Sequence, residues 1–403
     1  MSTQYAYKVR DAAGLFKEGK VTADNEHAVA EKLRAMGYVP LEVKAAGTGL
    51  NREISFGTKR VKTKDLAVVA RQLATMVDAG LTLLRALTIL SEQTEHPGMK
   101  IALVKLRQAV ESGHSLSSAL AADRLTYPPF MIHMVRAGET GGFLDKALRQ
   151  VADTFEADVK LRGQVKSAMT YPVVVFVMAI LMCIGMLLFI VPIFESMFEG
   201  LGGELPLPTQ VLVTMSGALP VALPAIAVVL VAFTAWWRRH GRDEKVRNVV
   251  DPLKLRVPIF GPLFVKIALA RFSRNLSTLL GAGVPVLQSL DIVADTSGSV
   301  VIARALQDVR SSVAQGESMA KPLARHAVFP SMTVQMIASG EESGSVDLML
   351  AKISQFYDDE VEATTQALTS LIEPLMIAFL GVVVGGMIVA LYLPMFSVFD
   401  LIE

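Results

Sequence analysis

Two nine-residue segments, AGETGGFLD at 137–145 and SGEESGSVD at 339–347, gather most of the side chains in this sequence that could do chemistry together. Each holds a Gly-Glu pair, Gly138 with Glu139 and Gly340 with Glu341, followed by an acid, Asp145 or Asp347. As chemistry, Glu139 with Asp145, or Glu341 with Glu342 and Asp347, are candidate oxygen ligands for a hard cation such as calcium. As structure, Gly138 and Gly340 would end one helix, while Asp145 and Asp347 favour the positive end of the next. A contact with a partner protein is a third reading, and the structural one is preferred.

Nothing else in the chain reads as a reaction centre. GLFKEGKV at 14–21 has the spacing of a phosphate-binding loop, but Val21 stands where a Ser or Thr must hold magnesium, and a strand-like stretch follows instead of a helix. His27, His96, His114, His133, His240 and His326 show no metal-ligand spacing, and no nucleophile elbow accompanies them. The expectation is no catalytic residue, no cofactor and no enzyme.

The paired segments belong to a larger repeat. A charged, helix-patterned stretch of roughly 110 residues running into a membrane-length apolar stretch occurs twice, about 203 residues apart. Arg71, Leu73, Ala79, Gly80, Gly113 and Ser115 recur as Arg274, Leu276, Ala282, Gly283, Gly316 and Ser318. After a one-residue slip, Pro128, Asp145, Pro172, Pro192 and Phe194 recur as Pro330, Asp347, Pro374, Pro394 and Phe396. Leu66, Val69, Ala70, Leu73, Met76 and Val77 follow the three-and-four spacing of one apolar helix face. About six antiparallel helices per copy are expected, the last running past Tyr171 and Pro172 into the membrane without a joint.

Composition fits a membrane protein with large soluble parts: 52% hydrophobic residues and a mean hydropathy of +0.45, with 19% charged residues and a net charge of +1. Nucleic acid is not the implied partner. Cys183 is the one cysteine, so no intrachain disulfide forms. The first residues, MSTQYAYKVRDAAG, are charged and lack the apolar core of a cleavable signal peptide.

Stretches 173–193, 219–237 and 375–399 carry no ionisable residue, and about 20 residues at 1.5 Å each cross a ~30 Å hydrocarbon core. Trp236 and Trp237 followed by Arg238, Arg239, Arg242, Lys245 and Arg247 mark a cytoplasmic end, whereas Glu195, Glu199 and Glu204 without Lys or Arg mark the opposite side. Two copies in one orientation then need an extra crossing, which Pro220 and Pro224 would kink. Without an Asp, Glu, Lys, Arg or His in any span, an ion path or proton relay is disfavoured. Gly381 and Gly385 form a small-xxx-small pair, with Ala179 and Cys183 at the matching positions of the first span, suited to helix packing within the chain or across a dimer.

The N-terminal part reads as a β-β-α-β module. Tyr5, Tyr7 and Val9 alternate, Lys20 to Thr22 pairs back, Asp24 caps a helix carrying Ala28, Ala30, Leu33 and Met36 on one face and ending at Gly37, and Tyr38 to Val43 is a last strand. The fold class is therefore mainly α, a polytopic membrane protein with two repeated cytoplasmic helical bundles. The divisions are module 1–46, basic linker 47–64, repeat 65–171, span 172–194 beginning at Pro172, extracytoplasmic loop 195–217, span 218–237, connector and second repeat 238–373, span 374–399 beginning at Pro374, and tail 400–403.

Architecture, together with RQLATMVDAGLTLLRAL, RNLSTLLGAGVPVLQSL, RAGETGG and ASGEESG, resembles the inner-membrane platform proteins of type IV pilus assembly and type II secretion, the PilC and GspF family. The resemblance covers nearly the whole chain. It departs at Ala137 and Ser339 before the Gly-Glu pairs, and at Thr140, where the second copy has Glu342. It implies a non-catalytic scaffold in the plasma membrane whose cytoplasmic domains engage the hexameric assembly ATPase, with pilins and other inner-membrane alignment proteins as further partners. A homo-oligomer, dimer or higher, is expected. The pilus system is favoured over secretion, a transporter subunit and a ligand-binding membrane sensor.

Overall fold

The computed structural model describes residues 3–10, 16–23, 26–35, 38–45, 61–199, 205–241, 243–258 and 260–399. They fall into two compact units, Met1–Lys59 and Arg60–Glu403. In the first, β1 (Thr3–Arg10) lies between β2 (Phe16–Ala23) and β3 (Val39–Ala45), antiparallel to both, and α1 (Glu26–Ala35) packs with the sheet. The β1–β3 register shifts between Lys8 and Val9, where Val9 meets Pro40. Proline has no N–H to give the ladder, so an irregularity there is expected. On α1 Leu33 is buried as its spacing suggested, but its buried companion is Val29, one turn earlier, and not Ala28 or Ala30. The larger side chain removes more apolar area and wins the inward position. Asp24, Met36 and Gly37 lie outside the described residues.

The second unit carries the repeat. Helices α2 (Thr63–Asp78), α3 (Leu83–Gln93), α4 (Pro97–Glu111), α5 (Leu116–Ala121), α6 (Pro129–Gly141) and α7 (Leu144–Gly185) form the first copy. A short π-helical turn, Met186–Ile190, and α8 (Val191–Glu199) prolong α7, and α9 (Leu207–His240) and α10 (Glu244–Arg256) lead to the second copy. That copy is α11 (Gly261–Gly281), α12 (Val286–Thr296), α13 (Val300–Ala314), α14 (Ala320–Leu323), α15 (Ser331–Ser343) and α16 (Val346–Phe399). Six helices per copy are therefore present among the described residues, with α10 as an unrepeated connector.

Local chemistry accounts for these boundaries. Leu66, Val69, Ala70 and Leu73 are buried on α2, as their spacing requires. Thr82 and Ser115 accept the N–H groups of Arg85 and Ser118 at helix starts, and Pro97 and Pro129 occupy first turns, where the missing N–H costs nothing. One apolar core runs through both copies, including Leu73, Met134 and Leu148 of the first and Phe272, Leu306 and Ile353 of the second. The repeats are thus halves of one body.

Three helical runs, Leu144–Met197, Leu207–Trp237 and Val346–Leu393, are long and apolar enough to cross a membrane. The helix α16 has 54 residues, about 80 Å at 1.5 Å per residue, so it serves both as a core helix of the bundle and as a span. The chain runs through Pro172 and Pro374 without leaving the helix. The long loop expected at 195–217 is shortened: α8 continues to Glu199, and α9 starts at Leu207 with Pro206 and Pro208 pre-set for a first turn. Val221, Val228, Leu230 and Val231 on α9 are exposed, an arrangement that suits lipid and not water.

Candidate functional site

The Gly-Glu pairs lie in the last turns of their helices, but neither glycine is the residue that stops the helix. α6 continues through Gly138 to Gly141 and closes on Gly142 at φ 74°, and α15 continues through Gly340 to Ser343 and closes on Gly344 at φ 68°. The left-handed cap is what needs glycine at 142 and 344. Gly138 and Gly340 answer to a different demand, close approach. A Cβ at Gly138 would stand 2.6 Å from Ala147 Cβ and 3.0 Å from Leu144 Cα; one at Gly340 would stand 2.9 Å from Val346 Cα. The small residue lets α7 and α16 fold back directly onto the helix before them.

The neighbouring glutamates hold a second helix. Leu116 N donates to Glu139 Oε1 at 2.6 Å and Ser117 N to Oε2 at 3.1 Å. Met319 N and Ala320 N donate to Glu341 in the same way, at 2.5 and 3.1 Å. Each carboxylate thus caps the exposed N–H groups and positive end of α5 or α14, with Ser115 or Ser318 satisfying one more. Both oxygens are engaged, and Asp145 and Asp347 sit in the first turns of the following helices. Among the described residues no three His, Cys, Asp or Glu come together as a metal site requires.

The repeated arginines have acid partners that the motif pairs did not include. Arg71 on α2 bonds Asp153 at 2.5 Å and Glu156 at 2.6 Å on α7, and Arg274 on α11 bonds Asp358 on α16 at 2.5 Å. Glu156 and Asp358 stand 202 residues apart, so the repeat offset would have found them. The hydrogen bonds that Arg71 donates to Glu156 hold the Glu156 carboxyl below its usual range, and those it donates to Glu156 and Asp153 raise the pKa of Arg71 itself. Across the copies, Asp158 of α7 meets Arg271 at 3.0 Å and Arg274 at 3.9 Å, and Gln164 donates to Glu362 at 2.9 Å.

In the spans, Ala179 is buried and Cys183 packs beside a cluster of Leu187, Val191, Leu212, Met387, Ala390 and Leu391. A Cβ at Gly381 or Gly385 would meet nothing within 4 Å, so these two glycines are not used for packing inside the described chain. Two hydroxyls of α9 reach the repeats' own spans: Ser216 Oγ donates to Leu187 O at 2.6 Å and Thr209 Oγ1 to Ala390 O at 2.5 Å. Those carbonyls lack helix donors because Pro192 and Pro394, the matched prolines, have no N–H. In the π turn the bond is i to i−5, as from Val191 N to Met186 O, which makes Leu187 O the orphan of Pro192. In α16 the ordinary i−4 acceptor of residue 394 is Ala390. The prolines stand out in the sequence but the two hydroxyls do not, because their partners are set only by helix packing.

The arrangement joins two bundles and three spans into one body and offers no convergent set of reactive groups among the described residues. The family model described as type II secretion system (T2SS), protein F, matches residues 69–192 and again 272–394, and its N-terminal domain model matches 1–44. The chain is 42% identical to the type IV pilus assembly protein PilC of Thermus thermophilus, covering 98% of each chain. It is 39% identical to PilC of Myxococcus xanthus over 100% of this chain and 96% of the relative. It is 31% identical to the type II secretion system protein F of Vibrio cholerae over 99% of each. With both copies of the domain matched and relatives aligned end to end, the chain belongs to the type II secretion system protein F family.

Proposed function

We propose that the chain is the inner-membrane platform of a type IV pilus assembly machine, a scaffold that couples a cytoplasmic hexameric ATPase to the insertion of pilin subunits into the filament. The observation that carries this reading is mechanical: α7 and α16 are core helices of the bundles and continue as spans, so movement of the soluble body reaches the bilayer without a slack joint. The higher identity to relatives named for pilus assembly than to those named for secretion favours the pilus system. Catalysis resides in the ATPase, and this chain transmits force.

The basic run from Arg238 to Arg247 supports a topology with the N-terminal module and both repeats in the cytoplasm. The module and first repeat are then the main ATPase contact, through the basic stretch around Arg52, Lys59 and Arg60. Gly381 and Gly385, uncrowded within the chain, are available for pairing of copies. Clean deletion of the gene tests the assignment by electron microscopy of surface filaments and gels of secreted proteins. Loss of filaments with pilin retained in the membrane supports the pilus platform. Loss of secreted enzymes with filaments intact moves it to secretion, and survival of both without a compensating paralogue overturns it.

A further inference from the structure

A groove of about 660 Å³ opens between α7 and α11, at the level where α7 passes from charged to apolar sequence. Its α7 wall is one helical face: Arg162, Lys166, Met169 and Thr170, then Val173 and Val174. From Arg162 to Val174 this face runs about 18 Å along the axis. The opposite wall is Phe264, Ile267 and Arg271 of α11. One end is therefore cationic and the other lies within the first apolar span.

The charges at the cationic end are not balanced inside the molecule. Arg162 and Lys166 are exposed and pair with no carboxylate among the described residues. Asp158 faces Arg271 at 3.0 Å, and Arg274, 3.9 Å from Asp158, has Asp358 at 2.5 Å, so the excess charge is that of Arg162 and Lys166. Burial lowers the pKa of Arg271; Asp158 opposes that shift, and the neighbouring Arg162 and Arg274 add to it. An occupant that complements this groove has a negative headgroup and a hydrocarbon tail.

We infer that the groove between α7 and α11 holds one anionic phospholipid, its phosphate between Arg162, Lys166 and Arg271 and an acyl chain along Val173, Val174 and Phe264. Arginine forks suit phosphate oxygens, and basic pockets beside spans select anionic lipids at the cytoplasmic surface. A soluble phosphate would leave the apolar half unfilled, and a zwitterionic lipid would leave the cations uncompensated. That the lipid comes from the cytoplasmic leaflet rests on the topology proposed above; the groove chemistry does not.

The test is native mass spectrometry of the full-length protein in neutral detergent, titrated with phosphatidylglycerol or phosphatidylcholine. A one-to-one phosphatidylglycerol adduct is expected, with phosphatidylcholine dissociating first. R162E/K166E should weaken phosphatidylglycerol binding at least roughly tenfold, since each cation near a lipid surface contributes about fivefold and two are reversed. V174W, which fills the apolar half, should also lose the adduct, while K352E should not. Thermal melting in detergent without lipid confirms that each variant is folded. Equal binding of both lipids, or full retention by R162E/K166E, overturns the inference. So does displacement by inorganic phosphate with V174W unaffected, or a dimer sealed through the groove that V174W dissociates. Labelling of K352C, outside the groove, in a C183S background with an impermeant maleimide reads the topology separately, so failure of lipid binding and failure of the orientation remain distinct.

Discussion

Replacing Thr209 by Val removes the hydroxyl that donates to Ala390 O at 2.5 Å while keeping nearly the same volume. Thr209 is 1% exposed, so water does not take its place. An unsatisfied buried acceptor costs about 1–3 kcal/mol, but hydrogen bonds between membrane helices measure nearer 0.6, with a maximum of about 1.7. The expected loss is therefore about 1 kcal/mol. The proline sharpens the expectation. The carbonyl needs Thr209 only because Pro394 has no N–H, so P394A should restore the helical bond to Ala390 O and make the threonine redundant. The assay is a double-mutant cycle of T209V and P394A, with unfolding followed by SDS titration in mixed micelles. T209V should cost about 1 kcal/mol in the natural background and near zero in the P394A background, a coupling of about 1 kcal/mol. An equal cost in both backgrounds would refute the account of the orphaned carbonyl.

Other consequences can be measured on the same protein. E139A leaves the N–H groups of Leu116 and Ser117 without their acceptor, and should destabilise by about 1–3 kcal/mol, E139Q by less, with millimolar calcium or EDTA leaving the melting temperature of the natural protein unchanged. G138A should cost about 1–3 kcal/mol through overpacking against Ala147, and G142A about 1 kcal/mol through its positive φ, so a thermal melt ranks them in that order. Both partners of the Arg71–Glu156 bridge are more than a third exposed, so R71A should cost under about 1 kcal/mol and less in high salt. Because the Glu156 carboxyl is held below its ordinary range in the folded state, its contribution is present above that range and is lost as pH falls through the depressed value. E156Q should therefore flatten the acid limb of the stability profile; an unchanged limb would exclude the linkage.

The sequence carried the duplication, the six helices per copy and the three spans, because each is written in local pattern. A run without charge needs lipid, a three-and-four spacing needs a core on one side, and a doubled motif needs two like environments. It misled where a residue type serves more than one purpose. Gly138 and Gly340 resemble helix stops, yet the stops are Gly142 and Gly344; the former exist for the close approach of α7 and α16, which only packing produces. The carboxylates of Glu139 and Glu341 resemble cation ligands when only the neighbouring acids are considered. In three dimensions each faces the start of a helix more than 20 residues earlier, and each of its oxygens already accepts a backbone N–H.

What tertiary structure alone decided was which distant groups meet. The prolines at 192 and 394 are plain in the sequence, but the hydroxyls that satisfy the carbonyls they orphan come from α9, 24 residues after the one and 185 before the other. Likewise the cations of Arg162 and Lys166 belong to an ordinary charged helix until α11 lays an apolar wall beside them. Periodicity is a property of neighbours along the chain and is legible there. Complementarity between separate helices depends on their crossing and axial offset, which many residues set jointly and no short segment encodes.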